Sequence, residues 1–352
     1  MNMKVDEPLV SIVAVCYNHE KYLKETLDSI LHQTYSNIQL IIIDDCSQDN
    51  SVAKIEKWIQ DNKVDCQFIS RPKNLGLCKN LNEGLVISTG KYYQSIACDD
   101  VMEPHKIEKQ VTFFEQQKED VMLICSNFST IDKNGTVVSE AYFNDNFIFP
   151  EEVFSAILSK YMGYQIIIHS PTVLLRRKVF DVVGTYDESL QQEDFYMCLL
   201  ISSRFSVKFM NEVLAKYRVL DTSLSKQFKF GGTFFYERAK VIAKFYDREG
   251  EQLDAVIKFQ LKQVKRILNE GLLSNEENTI MNGLEIYTLM KPFYNKTNSI
   301  DKNLFKIYIS FPKVFKHWAR KTNFKFVKNK YQLFYKLGIA PIFKQLFNFK
   351  IT

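Results

Sequence analysis

The chain has 352 residues, long enough to bury a substantial core in one large domain or two smaller ones. Its composition, 46% hydrophobic and 25% charged with 12 glycines and 8 prolines, excludes a disordered, fibrous or low-complexity protein. The net charge of +5 conceals a division: residues 302–352 carry twelve Lys and Arg and no Asp or Glu, which leaves the other 301 residues at −7.

The seven cysteines, Cys16, Cys46, Cys66, Cys78, Cys98, Cys125 and Cys198, form no CxxC and have no histidine at zinc-like spacing. An odd number of scattered cysteines fits a reducing compartment. The polar start, residues 1–8, has no apolar signal region, and no apolar run approaches the ~20 residues of a membrane span. The expected location is cytoplasmic, or peripheral on the inner face of the cell membrane.

In chain order, residues 9–16 (LVSIVAVC) are an apolar run too short for a buried helix and predict a central parallel strand. Asn18 is the expected cap of a helix over 20–31, whose Leu23, Leu27, Ile30 and Leu31 share one face. A second strand over 38–43 ends abruptly in Asp44-Asp45. A helix over 51–59, a strand over 66–69, a turn at Asn74 and Gly76, a helix over 77–87 and a strand over 92–97 follow. That strand runs into Asp99-Asp100, Pro104 opens another helix, and 121–126 is a fifth strand. Alternating strands and helices imply βαβ units and a parallel sheet, with ligands outside the carboxyl ends of its strands.

After residue 126 the pattern changes. Residues 127–140 predict a hairpin about Asn134-Gly135, 151–160 a helix, 171–175 a strand, 195–201 a helix, and 207–210 and 213–219 two short strands. From about 233 to 289 the chain reads as amphipathic helix. The expected division is a catalytic domain over 1–228, a helical extension over 229–301 and a basic aromatic tail over 302–352.

Two pairs of carboxylates at successive strand ends lie on one rim of one sheet. Asp44 and Asp45, after a buried strand, suit hydrogen bonds to a base or a ribose hydroxyl. Helix capping and turn formation explain them as well. Asp99-Asp100 are close enough to repel each other unless a cation intervenes, and a hard divalent ion with oxygen ligands answers that need. Glu193-Asp194 open a helix, where acids serve the helix dipole or act as a general base. The histidines His19, His32, His105, His169 and His317 share no motif. There is no P-loop, no GxGxxG and no nucleophile elbow.

The stretches SIVAVCYNHEKYLKETLDSILHQTY, IIIDDCSQDNS, NLGLCKNLNEGL, ACDD with MEP, and YDESLQQED, in that order over about 9–225, resemble the landmarks of family 2 glycosyltransferases. The resemblance implies a GT-A α/β fold, Rossmann-like, with an α-helical region after it. It implies an inverting transfer of sugar from a nucleoside diphosphate sugar, a UDP-sugar above others, to a hydroxyl of a glycan or lipid-linked acceptor. The nucleotide would meet Val15, Tyr17, Asn18, Asp44, Asp45, Asn74, Gly76, Asn82 and Asp99. Asp99 and Asp100 would bind Mn2+ or Mg2+, and Asp194, preceded by Glu193, would be the catalytic base. The chain departs from the family pattern at Ala97, where the metal motif has its first aspartate, and at Leu220, near which a histidine is usual. Those departures also admit a catalytically inactive nucleotide-sugar binder.

The tail interleaves Lys and Arg with aromatic residues, from Phe305 to Phe349. That mixture suits an anionic membrane surface. A helical subdomain with one basic face, or single-stranded nucleic acid, fits the same composition. No nucleic-acid partner is expected for the chain as a whole.

Overall fold

The computed structural model describes residues 7–162 (backbone only for 158–162), 167–191 and 193–220, with Lys240, Val241, Lys244 and Phe245. The chain divides into two compact units, Met1–Phe228 and Lys229–Thr352. The four described residues of the second unit are helical. The rest of the expected helical extension, and the whole basic tail, lie outside the described residues. No helix among the described residues is long and apolar enough to cross a membrane.

The first unit is built on a nine-stranded sheet. Strands β1 (Val10–Cys16) and β2 (Ile38–Asp44) are near-continuous apolar runs because both faces of the sheet are covered; all seven residues of β1 are buried. Strands β3 (Cys66–Ser70) and β4 (Tyr92–Ala97) complete a parallel set in the order β3-β2-β1-β4. Helices α1 (Leu23–Leu31), α2 (Ser51–Asn62) and α3 (Leu77–Ile87) connect these strands. Beyond β4 come β5 (Val101–Met102), α4 (Lys106–Glu115), β6 (Val121–Ile131) and β7 (Val137–Ser139). Then follow α5 (Val153–Met162), β8 (Leu174–Arg176), α6 (Phe180–Val183), α7 (Glu193–Ser202) and β9 (Ser206–Arg218).

The full order is β3-β2-β1-β4-β8-β6-β9-β5, with β7 on β6. The parallel sheet expected from alternation holds for the first four strands and ends at β8, which is antiparallel to both β4 and β6. The chain enters β8 through a tight turn at Ser170–Thr172 rather than through a helical crossover, and the pairing reverses. The two expected short strands at 207–219 are one strand, β9, parallel to β6. The pairing steps from Ser126–Met210 to Asn127–Val213, so the apparent break is a bulge.

Ile12, Ala14 and Ile42 on one face of the sheet pack with Leu23, Leu27 and Ile30 of α1, Trp58 of α2 and Ile107, Val111 and Phe114 of α4. Each such side chain stabilises by roughly 1.5–3 kcal/mol on burial. On the other face α3 lies so close to β1 that a Cβ at Gly84 would sit 2.5 Å from Val13 Cγ1. The helix at 20–31 begins late, at Leu23, and Asn18 does not cap it. Asn18 has a positive φ of 57°, and its Oδ1 accepts the Gln48 N–H at 2.7 Å, which ties the β1–α1 loop to the β2–α2 loop.

Candidate active site

The carboxyl ends of β1, β2 and β4 lie side by side, with Cys16 opposite Asp44 and Val15 opposite Ala97. Both acidic pairs therefore share one rim, as the strand ends predict. Their carboxylates do different things.

Asp44 is buried, and its Oδ1 accepts the Ser47 N–H at 2.8 Å. Asp45 Oδ1 and Oδ2 accept the N–H groups of Leu75 at 2.7 Å and Gly76 at 2.9 Å. Gly76 has φ +87°, a backbone open to glycine and strained for other residues, so the turn can present both donors to one carboxylate. Neither carboxylate stands free in the cleft. Each holds a loop of the rim in place, because a buried carboxylate demands donors and these backbone N–H groups are the nearest. Tyr17 and Asn18 are exposed on the rim, Val15 is buried below it, and Asn74 is exposed.

Asn82 lies apart from this group. Its Nδ2 donates to the Tyr186 carbonyl at 2.9 Å, and its Oδ1 accepts the Tyr186 N–H at 2.9 Å. The carboxamide is engaged at both ends with the loop that leads to α7. Cys78 Sγ, bonded to the Leu190 carbonyl at 3.1 Å, holds the same loop.

Asp99 and Asp100 point different ways. Asp100 is buried, and its Oδ1 accepts the Arg218 N–H at 2.9 Å. Burial and the neighbouring Asp99 charge push its carboxyl well above the usual range, against the pull of Arg218. One oxygen of the Asp100 carboxylate is thereby turned into β9. The turn is held from α1 as well, by Thr26 Oγ1 on the Asp100 carbonyl at 2.7 Å and Ser29 Oγ beneath the Met102 N–H at 3.1 Å. Arg218, 2% exposed, adds Nε to the Asp99 carbonyl at 2.8 Å, Nη1 to the Asp132 carbonyl at 3.0 Å, and an ion pair with Glu25.

Asp99 keeps a partly exposed carboxylate at the rim. His19 faces it from the β1–α1 loop, with Nε2 3.8 Å from Asp99 Oδ2. Among the described residues, no group of three or more His, Cys, Asp or Glu side chains converges as a complete metal cage. One accessible carboxylate is nevertheless a fitting donor for Mg2+ or Mn2+, which draw most of their oxygens from water and substrate phosphates.

At the start of α7, Glu193 and Asp194 border a small cavity lined also by Tyr93 and Ser95 of β4, Leu123, Tyr186 and Met197. Asp194 Oδ1 accepts the Phe195 N–H at 2.6 Å. Burial, then the Asp194 charge, pushes the Glu193 carboxyl up to about 8. Strand β4 links this cavity to the Asp99 side of the rim: Ser95 lines it, and Asp99 follows the strand's end. Beside it, His169 sits among Phe128 at 4.3 Å, Tyr142 at 5.0 Å and Tyr217 at 5.8 Å between ring centroids. Burial holds the His169 imidazole down at about 4, so it is neutral at physiological pH.

Reading the sequence missed Arg218 and His19. Each is an unremarkable residue locally and acquires its role from a partner 118 or 80 positions away. The nearest signal was that His19 and Asp99 both follow the ends of adjacent strands.

This arrangement of a parallel half-sheet, an acidic turn after β4 and a carboxylate pair on a later helix is that of a GT-A glycosyltransferase domain. The Glycosyl transferase family 2 profile matches residues 11–184. An uncharacterised glycosyltransferase of Methanocaldococcus jannaschii is 31% identical over 221 residues, which cover 61% of this chain and 72% of that protein. Among solved structures, TarS 1-349 of S. aureus in complex with UDP-GlcNAc superposes with a TM-score of 0.57 at 17% identity, over 80% of this chain and 81% of that one. The mannosyltransferase PcManGT from Pyrobaculum calidifontis, in complex with GDP-Man and Mn2+, gives a TM-score of 0.52 at 12% identity, over 98% and 89%. The chain belongs to glycosyltransferase family 2, and it is a glycosyltransferase.

Proposed function

We propose that the chain transfers a sugar from a UDP-sugar to a hydroxyl of a glycan or lipid-linked acceptor, with inversion at the anomeric carbon. The observation that carries this reading is the splitting of the α7 carboxylates. Burial, then the charge of the adjacent Asp194, pushes the Glu193 carboxyl up to about 8, which favours Asp194 over Glu193 as the proton acceptor. Asp194 takes the proton of the acceptor hydroxyl as its oxygen attacks the anomeric carbon and the bond to the diphosphate breaks. A single displacement of this kind inverts configuration.

Val15, Tyr17, Asn18, Asp45 with the Asn74–Gly76 turn, and Asp44 beneath them form the wall assigned to the nucleoside. Mn2+ or Mg2+ at Asp99 would supply charge neutralisation for the departing diphosphate. The UDP-GlcNAc of the TarS complex and the Mn2+ of the PcManGT complex support this donor chemistry. The basic tail, by its charge and aromatics, supports docking at the inner membrane surface, where lipid-linked acceptors are concentrated.

The test is a panel of nucleotide sugars with Mn2+ and simple alcohols or glycans as acceptors, followed by nucleotide release and by NMR of the product's anomeric configuration. Release of UDP with inverted product is expected. Retained configuration would overturn the single displacement, and turnover confined to other nucleotides would overturn the UDP assignment.

A further inference from the structure

We infer that His19 is a second protein ligand of the cation at the donor site, its Nε2 acting with Asp99 Oδ2. The inference rests on the donor chemistry proposed above and names a residue that chemistry does not require.

Three observations carry it. The first is placement. His19 follows the end of β1 and Asp99 the end of the adjacent β4, and the 3.8 Å between Nε2 and Oδ2 exceeds a hydrogen bond. Two ligands of one ion, each with a bond of about 2.1 Å, span a gap of that size. The second is that the ring is not kept for the fold. Among the described residues, neither ring nitrogen makes a hydrogen bond, and Nδ1 is buried without a partner. The backbone, in contrast, is firmly held. The His19 N–H donates to Ser51 Oγ at 3.1 Å, and its carbonyl accepts the Tyr22 and Leu23 N–H groups at 2.9 Å each. Asn18 before it is tied to Ser47 and Gln48. The imidazole is thus aimed by two loops and engaged by neither.

The third observation is the scarcity of other donors among the described residues. Ala97 and Leu220 offer no ligand, and Asp100 is buried with its Oδ1 on the Arg218 N–H. Among the described residues, Asp99 is left as one accessible carboxylate for the ion. An imidazole opposite it adds a nitrogen donor without another negative charge facing the diphosphate. Nitrogen ligation also shifts preference away from Mg2+, which favours oxygen, towards Mn2+ and later divalent ions.

The experiment uses the full chain with UDP and Mn2+. Free Mn2+ is titrated by electron paramagnetic resonance for the wild type, His19→Ala and Asp99→Asn, with UDP binding in EDTA measured alongside by calorimetry. His19→Ala is expected to weaken Mn2+ binding about tenfold or more, to narrow the Mn2+ over Mg2+ preference, and to leave metal-free UDP binding unchanged. In the wild type, Mn2+ should selectively broaden the NMR signals of the His19 ring, a readout that needs no variant and no turnover. Unchanged Mn2+ affinity in a folded His19→Ala, or an unbroadened ring at saturating Mn2+, overturns the inference. Failure of the wild type to bind UDP would overturn the donor reading instead, and the ring broadening separates the two.

Discussion

Arg218, the last residue of β9, donates its backbone N–H to Asp100 Oδ1 at 2.9 Å, while its Nε donates to the Asp99 carbonyl at 2.8 Å. One residue at the far end of the first unit thus fixes both members of the acidic turn that follows β4. The guanidinium is buried and also lies over the Tyr22 ring at 4.8 Å, so the grip extends to the start of α1.

Arg218→Met should therefore damage both stability and donor use. It leaves the carbonyls of Asp99 and Asp132 without their donor, at about 1–3 kcal/mol for each buried group stranded. A melting temperature several degrees lower is expected, with a larger rise in donor KM than fall in kcat as Asp99 loosens. A variant with wild-type melting and wild-type donor KM would show that the turn holds itself.

Asp194→Asn should keep the fold and donor binding and lose most transfer. A general base contributes ~10²–10⁴-fold. Single-turnover rates with a saturating acceptor measure this. A fall of less than tenfold would move the base to Glu193.

Glu193 makes a prediction about pH. Its folded pKa of about 8 lies above the ordinary 4.5, so the folded state binds the extra proton. Its contribution to stability is present in full below about 4.5 and is lost as pH rises through about 8. Glu193→Gln removes that titration. Thermal melts from pH 5 to 9 should show the variant gaining on the wild type as pH rises. Parallel curves would mean that Glu193 titrates normally.

The tail carries the last prediction. Twelve positive charges without an acid favour an anionic surface by about 1 kcal/mol per Lys or Arg close to it. Truncation after Asp301 should abolish flotation with anionic liposomes at low salt and spare UDP binding. If the full chain never floats, the membrane role fails. If truncation mainly lowers the melting temperature, the tail serves the body of the protein.

Much of the fold was legible because its signals are local. Apolar runs ending in acids marked β2 and β4, and Asn134-Gly135 marked the β6–β7 hairpin, where Thr130 pairs with Ser139 and Gly135 takes φ +83°. The bulge in β9 read as a gap, because two unpaired residues, Asn211 and Glu212, interrupt the alternation that identifies a strand. The reversal at β8 left no trace, since a three-residue strand has no period to read and its direction depends on how the chain arrives.

The same division runs through the site. The sequence by itself determined that carboxylates would gather at the ends of β2 and β4, because a polar pair after a buried strand has only the sheet's rim to occupy. It could not say which polar side chains would remain accessible. That was decided by tertiary contacts: the Leu75 and Gly76 N–H groups on Asp45, the Arg218 N–H on Asp100, and Tyr186 on Asn82. Asp99 remained at the rim with His19 across from it. Hydrogen-bond donors satisfy buried acceptors by proximity in space, and the donors that took Asp45, Asp100 and Asn82 come from 30 to 118 residues away, beyond the reach of any local pattern.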